Sequence, residues 1–149
     1  MSDLVSVYFS PGRDPEGNIV GFIRACEKTL DVAIYSFTSP EICTAVLDAD
    51  KRGVDVRLIL DYDQGYSRFS AYTKWLKPAL GNIQVKFKTA AGLMHNKFAV
   101  GDRSAVLTGS YNWTETAEKV NHENLVIIRD KEAVEKFVME FDYMWRTIC

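Results

Sequence analysis

Residues 93–113 read LMHNKFAVGDRSAVLTGSYNW and hold one of only two histidines in a chain of 149 residues. Lys97 follows His95 by two places, Asp102 closes the first half, and Gly109, Ser110 and Asn112 close the second. An imidazole can serve as a nucleophile or a proton carrier near neutral pH. An ammonium, a hydroxyl and an amide beside it would supply positive charge and donors for an anion. These residue types therefore suit an anion site with a reactive nitrogen in it.

Spacing decides which of them can meet. Side chains two apart on a strand share a face, so His95 and Lys97 project together while Asn96, Phe98 and Val100 face away. GDRS between two apolar runs signals a hairpin. A turn centred on Asp102 and Arg103 would set Ser110 opposite His95 and Thr108 opposite Lys97, with Asn112 following on the same side. Asp102, seven residues along, would lie roughly 23 Å from His95. Spacing thus excludes it as the partner of that imidazole and leaves a turn or ion-pair role and a substrate role equally open. Glu123, in NHEN at the mouth of the next strand, is the better candidate to accept the Nδ1 proton and expose Nε2. His122, its neighbour, points away by alternation.

The elements that must position these groups follow from hydrophobic period. Val5–Phe9, DVAIYSF, VDVRLILD, IQVKFK, NKFAV, AVLTGS and NLVIIRD read as strands. Helical spacing covers 17–30, a helix capped by Thr38 or Ser39 and ended by Gly53, a segment at 69–77, and a closing helix at 131–147. Strands alternating with helices and then a hairpin describe an α/β fold: a mixed, mainly parallel sheet flanked by helices, one domain over 1–149.

Composition sets the outer limits. The formal net charge is −2, so a polyanion would have to be held by a local patch instead of bulk charge. Lys86 and Lys88, with Lys74 and Lys77, are the candidate backbone contacts. Cys26, Cys43 and Cys149 lack metal-ligand spacing and read as reduced thiols, the first two buried. No signal peptide and no membrane-spanning run is legible, so a cytoplasmic protein without stable membrane association is expected. Tyr111 and Trp113 read as packing residues in preference to base-stacking ones.

The pattern His95-x-Lys97-x4-Asp102, six residues, then Gly109-Ser110-x-Asn112, with Glu123 in NHENLVII downstream, resembles the signature of the phospholipase D superfamily. The likeness covers essentially the whole chain. A single copy of the motif at this length is similar to the Nuc-type endonucleases and the mitochondrial phospholipase D-like proteins.

The resemblance implies a homodimer that assembles one active site from two copies, with no metal and no other cofactor. It places His95, Lys97, Asp102 and Glu123 in the catalytic set, and Lys97, Ser110 and Asn112 on the substrate phosphate. His95 would attack phosphorus to give a phosphohistidine, while a second imidazole protonates the leaving oxygen and then activates water. Lys97 and Asn112 from both copies would stand in for divalent ions. A nuclease acting on DNA or RNA is the first expectation. A phospholipid hydrolase and a non-catalytic nucleic-acid-binding module are the alternatives.

Overall fold

A computed structural model describes residues 3–148, so Cys149 lies outside the described residues. Seven strands form one sheet in the order β1-β7-β6-β5-β2-β3-β4, where β1 is Val5–Phe9, β2 Thr29–Ile34, β3 Asp55–Asp61, β4 Gln84–Lys88, β5 Lys97–Gly101, β6 Ala105–Gly109 and β7 Asn124–Ile128. The sheet is mixed, as expected, but not mainly parallel in its pairings. Only β2–β3 and β3–β4 pair in parallel, whereas β1–β7, β7–β6, β6–β5 and β5–β2 are antiparallel. The physical reason begins with the β5–β6 hairpin, which docks beside β2 in mid-sheet. The hairpin fixes only β5–β6 as antiparallel; β5 runs opposite to β2, and β7 and β1 each reverse direction again beyond β6.

Helices cover both faces. α1 (Pro15–Arg24) and α2 (Pro40–Lys51) lie on one side, with Ile19, Ile23, Ile42 and Val46 packed against Leu30, Val32, Leu58 and Leu107. α5 (Lys131–Thr147) covers the other through Val134, Val138, Phe141 and Met144, packed on Phe98, Val100 and Val106. Central β2 is therefore buried on both faces. Each fully buried Ile or Leu contributes about 1.5–3 kcal/mol of transfer free energy.

α1 stops at Arg24, short of the expected residue 30. Apolar period continues to Leu30, but other contacts claim the backbone there. The Arg52 guanidinium reaches the carbonyls of Ile23, Arg24 and Cys26, and the N–H groups of residues 27–29 turn to the Asp102 carboxylate. In place of the expected regular helix at 69–77 there is a π-helical turn at Tyr72–Leu76, followed by a 3-10 turn at Lys77–Ala79. α2 starts and stops as expected, with Ser39 accepting from Ile42 N–H and Gly53 at φ 90° behind its end. Two short helices, α3 (Tyr62–Gly65) and α4 (Glu115–Lys119), have no period long enough to read. Cys26 and Cys43 are buried and unbonded. Burial pushes their thiols up, to about 12 and about 11.

Candidate active site

The carboxyl ends of β2, β3, β4 and β6 meet the amino ends of β5 and β7 at one edge of the sheet, the usual place for a site in α/β folds. There, an open cleft of about 520 Å³ is lined by His95, Asn96, Lys97, Thr108, Gly109, Ser110 and Asn112. The sequence pattern and the cleft thus share His95, Lys97, Gly109, Ser110 and Asn112.

His95 is exposed on the segment leading into β5. Its ring packs on Tyr35 with centroids 4.6 Å apart. The Lys97 ammonium lies 3.2 Å from Nδ1 and 3.4 Å from Nε2, and donates to the His95 carbonyl at 2.8 Å. A neutral imidazole has one acceptor nitrogen, so at most one of the two ring contacts is a hydrogen bond. Burial lowers the Lys97 ammonium from its ordinary value, and the nearby Glu123 carboxylate partly restores it. A lysine beside a nucleophile in an open cleft can exchange its ring contact for a phosphate oxygen.

The segment bearing His95 is itself anchored. Tyr35 N–H donates to the Asn96 carbonyl, prolonging the β2–β5 ladder beyond the strand. Buried Asp61 caps α3 through Oδ1 and accepts from Met94 N–H at 3.2 Å through Oδ2. Neither Tyr35 nor Asp61 is singled out by spacing. The visible signal for both is a polar or half-polar residue closing an otherwise apolar buried strand.

The hairpin register differs from expectation by one residue. Phe98 pairs with Thr108 and Val100 with Val106, because the turn takes three residues, Asp102–Ser104, with Asp102 and Arg103 at φ 51° and 53°. Gly109, not Thr108, therefore faces Lys97. The backbone kink after β6 nonetheless returns Ser110 to the cleft. Gly109 has φ 147°, and a Cβ there would collide with the Asn124 carbonyl oxygen, so only glycine fits. Ser110 N–H then reaches Asn124 Oδ1 at 2.9 Å, and Asn112 Oδ1 accepts from Ser36 N–H at 3.3 Å. That bond leaves the Asn112 NH₂ as the donor toward the cleft.

Glu123 adjoins the site through a different partner than expected. Its Oε2 accepts from the Ser110 hydroxyl and its Oε1 from Asn121 Nδ2, and its backbone is pinned by Ser10. No hydrogen bond joins it to His95 among the described residues. A serine one strand nearer takes the carboxylate, and the Lys97 ammonium lies against the His95 ring. His122 is exposed in the loop before β7 and does not line the cleft.

Three further expectations need correction. Asp102 sits at the far end of the hairpin and lines no part of the cleft. Burial alone would raise its carboxyl, but the N–H groups of Glu27, Thr29 and Lys28 outweigh that and hold it below the usual range. Its role here is to bind the α1–β2 loop. Lys86 donates to the Trp145 carbonyl at 2.7 Å and lies over the Trp145 ring. Lys88 donates to the carbonyls of Ala90 and Ala91. Both ammonium groups are tied to their own chain, so neither is a free backbone-binding charge. Tyr111 and Trp113 are buried, the first donating to Glu118 and the second edge-on to Phe37, as packing residues. No three His, Cys, Asp or Glu side chains cluster at metal-binding distance among the described residues.

This cleft can be set beside known proteins. Residues 19–145 match the family model described as cardiolipin synthase, PLD-like domain. The chain belongs to the phospholipase D-like family. It is 38% identical over 123 residues to the mitochondrial cardiolipin hydrolase of Mus musculus, 83% of this chain and 54% of that protein. The chain spans about half the length of the curated relatives it matches most strongly. Among solved structures it superposes on the phospholipase D family member Nuc from Salmonella typhimurium with TM-score 0.87 and 30% identity, covering 97% of this chain and 95% of that one. NucT from Helicobacter pylori gives TM-score 0.88 and 27% identity, with 97% and 96% covered.

Proposed function

We propose that this phospholipase D-like chain hydrolyses phosphodiester bonds of DNA or RNA through a phosphohistidine on His95, at a site completed by a second copy of the chain. The observation that carries the chemistry is the Lys97 ammonium against the His95 ring in an open cleft with Ser110 and Asn112. Lys97 and the Asn112 NH₂ bind non-bridging oxygens while His95 attacks; the displaced alkoxide takes a proton from the second copy's imidazole, which then deprotonates the water that cleaves the P–N bond. No single chain offers two such imidazoles in one cleft, since His122 lies outside it.

Support for the second copy comes from the sheet edge. β1 has one neighbour, β7, and its outward side chains Val5, Val7 and Phe9, with Leu4, are about half exposed. Phe9 pairs with Asn124, which holds Ser110 in the cleft. An open apolar edge strand that borders a half-site is a surface natural proteins cover.

Two observations bear on substrate. Near full-length superposition on Nuc and NucT favours nucleic acid. The mitochondrial cardiolipin hydrolases favour the second reading, a phospholipid hydrolase with the same chemistry. No helix among the described residues is long and apolar enough to cross a membrane. The test is hydrolysis of single- and double-stranded DNA, RNA and cardiolipin vesicles in excess chelator, with acid-quenched trapping of phosphorylated His95. Cleavage of oligonucleotides with a trapped phosphoenzyme is expected. Loss of activity on chelation would overturn the mechanism, and hydrolysis of vesicles alone would overturn the substrate.

A further inference from the structure

A second cavity opens next to the catalytic cleft, between the segment before His95 and the end of α5. It has a volume of about 390 Å³, within the range of small-molecule sites. Asn96 lines both cavities, so they adjoin at that residue. Its floor is buried Met94 and Met144, and its flanks are Leu93 and Tyr143, 60% and 56% exposed. Polar groups stand among these apolar ones, Thr89 and Thr147 as well as Asn96 and Lys88. The Asn96 amide touches Met144 Sδ at 3.6 Å through Nδ2, and Lys88 is tethered by the carbonyls of Ala90 and Ala91.

We propose that this cavity receives the base of the nucleotide adjoining the scissile phosphate, with Tyr143 and Leu93 against the base plane and Asn96 at its edge. The inference rests on the nuclease reading above and adds a subsite to it. A base has a π-face for the exposed tyrosine ring and donors and acceptors for an amide. An acyl chain would bury the Asn96 amide without replacing its lost water, at a cost. Asn96 alternates with His95 and Lys97. It stands between the residues that would hold the phosphate and the cavity beside α5. Stacking on a ring face tolerates all four bases, so the subsite predicts cleavage with little sequence choice.

Dinucleotides have one scissile bond, so they isolate the subsite. The full chain is assayed on a dinucleotide and on its two abasic analogues, with Tyr143→Ala and Tyr143→Phe beside the unaltered protein. Tyr143→Ala is expected to lower kcat/KM on the intact dinucleotide about tenfold, the size of one lost base–aromatic stack. Tyr143→Phe retains the rate. One abasic analogue loses a similar factor with the unaltered protein, and Tyr143→Ala then loses nothing more on that analogue. A loss that multiplies on every substrate, or no loss on the intact dinucleotide, overturns the subsite while nuclease activity stands. If neither dinucleotides nor long oligonucleotides are cleaved and vesicles are, the nuclease reading itself falls and the subsite with it.

Discussion

The two ends of β5 teach different lessons although one short motif spans both. At the cleft end, His95 and Lys97 are exposed or half-buried and touch chiefly each other and Tyr35. At the turn end, the Asp102 carboxylate accepts from three successive backbone N–H groups. Beside it Arg103 binds Asp142, which shares Arg57 with buried Asp31. Arg57 lies over the rings of Phe141 and Trp145, so the network fixes α5 to the sheet. Polar groups at the turn are saturated by the fold, while those at the cleft hold capacity in reserve for a ligand. Saturation marks a structural residue, and reserve capacity beside a reactive nitrogen marks a chemical one.

The sharpest way to break this contrast is to substitute each end and measure rate and stability together. His95→Ala should lower kcat by at least about a thousandfold, because a covalent route has no substitute nucleophile in the cleft. Its midpoint of thermal unfolding should stay put, since an exposed ring with few contacts is removed. A His95→Ala protein that unfolds early would mean the residue belongs to the structural end.

Asp102→Asn should do the reverse. Asparagine tolerates the positive φ of 51° at this position, so the substitution isolates the loss of charge from strain. Charge-assisted bonds to the α1–β2 loop weaken, and stability at neutral pH should fall by about 2–3 kcal/mol, read by urea unfolding, with kcat nearly unchanged. The pH dependence has a definite sign. A carboxyl held below its unfolded value of 3.8 contributes stability that is complete above that pH and is lost as pH falls through the lower folded value. Asp142 is depressed too; burial would raise it, but Arg103 and Arg57 outweigh that. Acid unfolding should therefore begin below about pH 4 and lose part of its steepness in Asp102→Asn. A large fall in kcat from this variant at full stability would return Asp102 to the catalytic set.

Much of this was legible because period and turn chemistry are local. All seven strands lie where apolar or alternating runs place them, and α5 spans 131–147 as its period requires. Meeting of His95 and Lys97 follows from alternation alone. What escaped was set by distant partners. The hairpin docks antiparallel to β2, and β7 and β1 reverse again beyond it, a fact of topology and not of any segment. The register shift hung on one extra turn residue, Ser104, which no pattern in GDRS distinguishes. Lys86 and Lys88 alternate as an exposed pair would, yet carbonyls at Trp145, Ala90 and Ala91 claim their ammonium groups. Asp61 and Tyr35 act on residues 33 to 61 positions away, too far for spacing to reveal.

The smallest expected effect sharpens the cleft end itself. Lys97 is lowered by burial, and Glu123 raises it again across the cleft. Activity that needs the ammonium should fall on an alkaline limb below the ordinary lysine value of 10.5. Glu123→Gln keeps the shape and an acceptor for Ser110 but removes the negative charge, so the ammonium loses its counter-charge. Its proton then leaves at lower pH, and the limb should move down by less than about one unit, a difference of about 1 kcal/mol. Lys97→Arg, whose guanidinium stays charged, should flatten the same limb at a reduced rate. If Glu123→Gln leaves the limb in place and instead lowers kcat equally at every pH, its carboxylate acts on His95 in the working assembly. The bond to Ser110 would then belong to the single chain alone.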